Sequence, residues 1–293
     1  METQKLRIAF FGTPELAVIV LDELKDGGFI PELIVTNPDR PQGRGLIHIA
    51  TPVKQWAQSQ NIPTFEPEKL TSDAVAPITD TAWDLFVVVA YGLIMPKWLL
   101  EIPKYGTLNV HPSMLPKLRG ASPIRTSILE GMKDTGVTIM LMDEKIDHGP
   151  ILTQLPTKLI YPIPGQMLDE NLAHQGGLLL CDIIPKWITG EITPQEQDHS
   201  QATFCTKITK EMGELQIDPF NLPTGDSAFQ TELKNCAFDG WPGIFFFHNG
   251  KRIKITDAHY SAKHGGRFEI YKVIPEGKKE INFSEYVQNL THS

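Results

Sequence analysis

Short apolar runs recur along the first part of the chain, at KLRIAFF (Lys5–Phe11), PELIVT (Pro31–Thr36) and DLFVVVA (Asp84–Ala90). Their length and their β-branched and aromatic content predict strands buried on both faces. Helical stretches separate them, the first opening at Thr13-Pro14, where Thr13 can cap a helix that Pro14 starts. Gly106–His111 differs: apolar Leu108 and Val110 alternate with polar Asn109 and His111, the period of a strand with two unlike faces, and Pro112 ends it. ASPIRTSILEG (121–131) reads as a helix stopped by Gly131, TGVTIMLM (135–142) and 151–160 as further strands, and Gln166–Ile184 as an amphipathic helix. Together these predict an α/β fold with a mostly parallel, Rossmann-like sheet and helices on both faces. Thr189–Thr203, polar and containing Gly190 and Pro194, reads as a linker. The expected division is therefore 1–188, a linker at 189–204, and a second domain over 205–293.

Composition narrows the function classes. The chain has 293 residues, 41% of them hydrophobic, and a formal charge of -8, which argues against a general, strongly basic nucleic-acid binder. Lys and Arg balance Asp and Glu over residues 200–293, so the acidic excess lies entirely before them. No apolar run is long enough for a membrane span and the first residues lack a signal-peptide core, so a cytoplasmic protein without a membrane partner is expected. Cys181, Cys205 and Cys236 are odd in number and widely spaced, suggesting neither a disulfide framework nor a zinc site.

Candidate chemistry gathers in GTLNVHPSMLPKLRG (106–120). Asn109 and His111 point the same way from one strand end, a carboxamide able to hold an oxyanion beside an imidazole able to handle a proton. Local sequence also permits plainer roles, Asn109 beginning a turn and His111 satisfied in place. Asp147, in the IDHGP turn after the next strand, can equally be a turn residue that satisfies nearby amides. His148 reads as a solvent-facing neighbour. Thr13-Pro14 can bind a phosphate at a helix start, although one glycine is no dinucleotide fingerprint. Gly92, within AYGLIMP (90–96), lets the backbone approach a flat ligand. NPDRPQGRG (37–45) is too polar for core.

The Asn109-x-His111 pair, the Ser-Met-Leu-Pro run, Arg119-Gly120 and the Asp147 turn together resemble the formyltransferases that use 10-formyltetrahydrofolate, and most of all those acting on methionyl-tRNA. The resemblance runs nearly end to end and is strongest over residues 5–160. It implies transfer of a formyl group from 10-formyltetrahydrofolate, a co-substrate, to the α-amine of initiator methionyl-tRNA, by a monomer that needs no metal. Asn109, His111 and Asp147 would be catalytic. Tyr91, Gly92, Leu93, Ile94, Met95, Ser113, Leu115 and Pro116 would line the folate site, with backbone groups reading the pterin ring. The 37–45 loop resembles one that inserts against the tRNA acceptor end, making Arg40 and Arg44 contacts, although this chain departs from the pattern after Gly45 with Leu46-Ile47-His48. Residues 208–219, 235–254 and 267–280, with the Trp241-Pro242-Gly243 turn, resemble the family's C-terminal oligonucleotide-binding-like β-barrel, shortened by a brief 256–266 segment. Lys207, Lys210, Lys251, Arg252 and Lys254 would meet tRNA there. Two other readings are the same donor with a small amine acceptor, such as a nucleotide amino sugar or glycinamide ribonucleotide, and a non-catalytic folate- or RNA-binding protein.

Overall fold

The computed structural model describes residues 6–42, 47–72 and 75–291. Its central sheet has seven strands in the order Ile151–Lys158, Asp134–Leu141, Thr107–His111, Leu85–Val89, Ile8–Gly12, Leu33–Val35, Thr64–Phe65. Ile8–Gly12 runs parallel to both its neighbours, and the pairings of Leu33–Val35 with Thr64–Phe65 and of Leu85–Val89 with Thr107–His111 are parallel too. Thr107–His111 meets Asp134–Leu141 antiparallel. The three middle strands are buried at all five positions. Because successive side chains leave opposite faces, both faces are covered, which is the physical source of the unbroken apolar runs.

Helices Glu15–Asp26 and Pro52–Ser59 pack together and against strands of this sheet. Phe11, Phe86 and Tyr91 form an aromatic knot in one layer of the core, with ring centroids 5.0 and 5.5 Å apart for Phe11–Phe86 and Phe11–Tyr91. Fully burying a side chain of this size contributes roughly 1.5–3 kcal/mol. The first helix begins at Glu15 with no side-chain cap. Thr13 does not cap it as expected: its hydroxyl lies 3.4 Å from the Tyr91 carbonyl and 3.4 Å from the Asn37 N–H. From Ile8–Gly12 the chain winds to one side of the sheet and later returns to the other side. The connections leaving the carboxyl ends of Ile8–Gly12 and Leu85–Val89 therefore run toward opposite flanks of the sheet, and the crevice at such a point is where open α/β sheets bind ligands. Asn37 donates to the Tyr91 carbonyl at 2.9 Å, so the ends of three strands are tied together there.

The chain divides into two compact units that do not follow chain order. One holds the chain up to Gly120, Thr135–Thr157 and Asp169–Phe204; the other holds Ala121–Asp134, Lys158–Leu168 and the chain from Cys205. The second unit gains its early segments because helix Pro123–Leu129 packs on helix Gly225–Ala237, while the Tyr161 hydroxyl bonds the carbonyls of Ser127 and Met132. Its sheet is antiparallel, in the order Phe245–His248, Lys251–Ser261, Arg267–Pro275, Ile281–Asn282, with helix Phe283–Thr291 packed on it. Residues 256–266 form the far end of the hairpin between its two long strands. Among the described residues no helix is long and apolar enough to cross a membrane.

Candidate active site

The strand Thr107–His111 presents Asn109 and His111 on one face, opposite Met140 and Thr138 of the neighbouring strand. Both are buried, at 8% and 4% exposure. After Pro112 the chain makes a turn whose polar groups are taken up internally. The Ser113 hydroxyl donates to the Lys117 carbonyl at 2.6 Å. The Thr138 hydroxyl donates to the Ser113 carbonyl at 2.7 Å and accepts the Leu115 N–H at 3.2 Å. Gln154 donates to the Leu115 carbonyl at 2.8 Å, and the Leu115–Pro116 peptide is cis. Leu118 sits at φ 59°, a left-handed conformation unusual for a side chain of its size.

This turn aims the Leu118 carbonyl at His111 Nε2, 3.0 Å away. A carbonyl can only accept, so Nε2 carries a proton, which leaves Nδ1 as the ring nitrogen that is bare in a neutral imidazole. Nδ1 faces Asp147 Oδ1 at 3.6 Å, beyond hydrogen-bonding distance and an ion pair only when the imidazole is protonated. The other carboxylate oxygen accepts the Gly120 N–H at 2.7 Å. Asp147 lies at φ 48°, a second left-handed residue in the same small region. The Asp147 side chain is 16% exposed against 5% for His111, so the carboxylate is the member of the pair nearer solvent.

A cluster behind Asp147, buried at Arg119 and Gln197 and exposed at His199, escaped sequence reasoning. Arg119, 3% exposed, donates from Nε and Nη2 to Gln197 Oε1 at 3.2 and 2.6 Å, and from Nη2 to His199 Nδ1 at 2.8 Å. Gln197 in turn donates to the carbonyls of Asp147 and Gly149 at 3.0 and 2.7 Å. His199 stacks on His148 with centroids 4.0 Å apart, and His148 Nδ1 bonds Asp143 at 2.6 Å. His148, expected to face solvent, is therefore held on two sides. The 189–204 stretch, expected as a linker, delivers Gln197 and His199 to this cluster, and Gln195 exchanges two backbone hydrogen bonds with Ile151. Arg119 beside a motif was the one signal available; Gln197 had none.

Of the expected folate-site residues, Tyr91 and Met95 turn their side chains into the core, Leu93 packs partly against it and Ile94 is 75% exposed. The Tyr91 hydroxyl is buried without a partner among the described residues, and burial pushes its pKa up to about 12. Gly92 is at φ 84°, which only glycine adopts freely. Ser113, Leu115 and Pro116 belong to the turn described above. Arg40 is exposed in a short strand, Arg40–Gln42, paired with Ile47–Ile49, while Arg44 lies outside the described residues. At the base of that hairpin Lys54 bridges Asp39 and Glu66 at 2.8 and 2.9 Å, and these bonds hold the ammonium's pKa above its ordinary value. In the second unit Lys207, Lys210, Lys251 and Lys254 are exposed. Arg252 lies over the Phe245 ring at 3.9 Å and is only half-exposed. It alternates with buried Ile253 and so shares a strand face with Lys254.

Residues 6–182 match the formyl transferase family model. The chain is 36% identical over 273 residues to a methionyl-tRNA formyltransferase of Thermus thermophilus, covering 93% of this chain and 86% of that protein. Among solved structures, a sugar N-formyltransferase from a Shewanella species superposes with a TM-score of 0.64 at 18% identity, over 89% of this chain and all of that one. A methionyl-tRNA formyltransferase from Clostridium thermocellum superposes with a TM-score of 0.58 at 19% identity, over 94% of this chain and 99% of that one. At these identities the structural likenesses speak for the fold.

Proposed function

This chain belongs to the methionyl-tRNA formyltransferase family, and on that premise we propose that it moves a formyl group from 10-formyltetrahydrofolate to the α-amine of initiator methionyl-tRNA. The observation that carries the reading is the pair of His111 Nδ1 and Asp147 Oδ1, 3.6 Å apart beside the strand end that carries Asn109. In the reaction the amine nitrogen forms a bond to the formyl carbon, the carbonyl oxygen gains negative charge, and the bond to the folate nitrogen then breaks. The Asn109 carboxamide donates to the developing oxyanion. The amine must lose a proton, and the His111–Asp147 pair receives it, with the more exposed carboxylate nearer the incoming amine. The departing folate nitrogen takes up a proton in return.

The folate co-substrate would lie against the backbone of Tyr91–Met95, where Gly92 leaves room and Leu93 and Ile94 supply apolar contact. The site needs no metal for these steps. Arg40 and Arg44 would meet the acceptor end of the tRNA, and Lys207, Lys210, Lys251, Arg252 and Lys254 its body. The protein would act as a cytoplasmic monomer.

A small-amine acceptor is the second reading, favoured by the likeness to a sugar N-formyltransferase. Sequence identity over nearly the whole chain, C-terminal unit included, supports tRNA instead. The test is turnover with labelled 10-formyltetrahydrofolate, offering initiator methionyl-tRNA, a nucleotide amino sugar or glycinamide ribonucleotide. Label should pass to methionyl-tRNA; label passing only to a small amine would replace this reading with the second, and none passing to any acceptor would favour a non-catalytic role.

A further inference from the structure

We infer that Gln197 is a positioning residue for Asp147, an inference that rests on the proposed role of Asp147 in proton handling. The carboxamide has one orientation open to it. Its Oε1 meets the Arg119 guanidinium, which can only donate, and its amino group meets the carbonyls of Asp147 and Gly149, which can only accept. A flipped amide would set donor against donor and acceptor against acceptor. All four bonds are therefore made at once by a side chain that is 5% exposed.

What this carboxamide holds is a backbone that its own sequence does not favour. Asp147 adopts φ 48°, and two residues on Gly149 is packed so tightly that a Cβ there would collide with the Leu141 carbonyl. Left-handed backbone at a residue with a side chain is disfavoured and persists where surrounding contacts over-determine it. Gln197 supplies such contacts by gripping the carbonyls on both sides of His148. The conformation sets the direction of the Asp147 carboxylate, one oxygen of which bonds Gly120 while the other faces His111. Arg119 anchors the carboxamide, and the stacked His199 and His148 close the cluster against Asp143.

Gln197→Glu is the discriminating variant. It keeps an oxygen for Arg119 and replaces the two N–H donors with an oxygen aimed at two carbonyls. Gln197→Met keeps the length and removes all four bonds. In the full-length protein both should lower kcat by roughly 10- to 100-fold through misplacement of the carboxylate, with KM for the formyl donor little changed. Combined with Asp147→Asn, neither should lower kcat further, because the group they position is already gone. A Gln197→Glu kcat equal to wild type, or losses that multiply in the double variant, would overturn the inference, as would failure of both variants to fold, which would assign Gln197 to stability alone. Wild-type kcat in Asp147→Asn by itself would instead remove the underlying catalytic reading.

Discussion

The turn around His111 and the exposed lysines of the C-terminal unit differ in how tightly the molecule dictates each side chain. His111 is buried, its Nε2 pinned by Leu118 and its Nδ1 set before Asp147, which is itself held by Gly120 and Gln197. Lys207, Lys210, Lys251 and Lys254 are exposed, the first two outside strands and the last two in the strand Lys251–Ser261. The difference suits the two tasks that the proposed function gives these regions. Bond making requires atoms aligned to fractions of an ångström, whereas a polyanion is held by charges that need only lie near phosphates. Substitutions in the first region should therefore act on rate, and those in the second on affinity and its salt dependence.

The largest effect expected is on turnover. Asn109→Ala and His111→Ala should each lower single-turnover formyl transfer by about 100- to 1,000-fold, the usual cost of removing one oxyanion donor or its equivalent. Circular dichroism and melting temperature should stay near wild type. A variant that keeps most of its rate while folded would remove that residue from the chemistry.

The second unit can be weakened without touching that chemistry. Phe268 is fully buried in its core, and Phe268→Ala should cost about 3–5 kcal/mol of stability by denaturant unfolding. The kcat measured well below the melting transition should be nearly unchanged while tRNA affinity falls. Equal loss of kcat would mean that the two regions are not separable in the way drawn above.

A smaller effect is expected at the lysines of the second unit. Lys251→Ala and Lys254→Ala should each weaken methionyl-tRNA binding and reduce the slope of log affinity against log salt by roughly 0.7–0.9, the contribution of one phosphate contact. The kcat should not change. An unaltered slope in the double variant would place the tRNA grip elsewhere.

The smallest effect concerns Glu232, buried in helix Gly225–Ala237 at 5% exposure. Burial raises its pKa above the ordinary carboxylate value, against weaker opposing bonds from Asn235 and Cys236. A raised folded-state pKa means that the folded protein binds this proton more tightly than the unfolded chain. Stability is therefore lost as pH rises through the ordinary carboxylate range toward the raised value. Glu232→Gln should raise the melting temperature at pH 8, and the gain should shrink toward zero near pH 4. A gain that does not vary with pH would trace the effect to packing.

The strands Ile8–Gly12 and Leu85–Val89 were readable, within a few residues at their ends, because each is buried on both faces and almost wholly apolar. The same holds for Asn109 and His111, whose alternation with Leu108 and Val110 is a local property. Helix Gly165–Ile188 runs past the expected Ile184 and carries Pro185 near its end, where proline has no N–H to give the carbonyl four residues earlier. Gln197 was not readable, since its surroundings are polar and its burial comes from Arg119, 78 residues earlier, and from the Asp147 turn. The make-up of the second unit was hidden for a similar reason: helix Pro123–Leu129 carries no local mark that its partner is Gly225–Ala237. Long-range partners of this kind leave no periodicity.

The central claim is that the carboxylate and imidazole at this strand end transfer formyl to an aminoacylated tRNA. It is tested most directly by following labelled formyl from 10-formyltetrahydrofolate to initiator methionyl-tRNA in one turnover, wild type beside Asp147→Asn. Transfer by the wild type and a fall of at least about 100-fold in the folded variant is the expected result. Equal rates in the two proteins, or no transfer to methionyl-tRNA by the wild type, would contradict it.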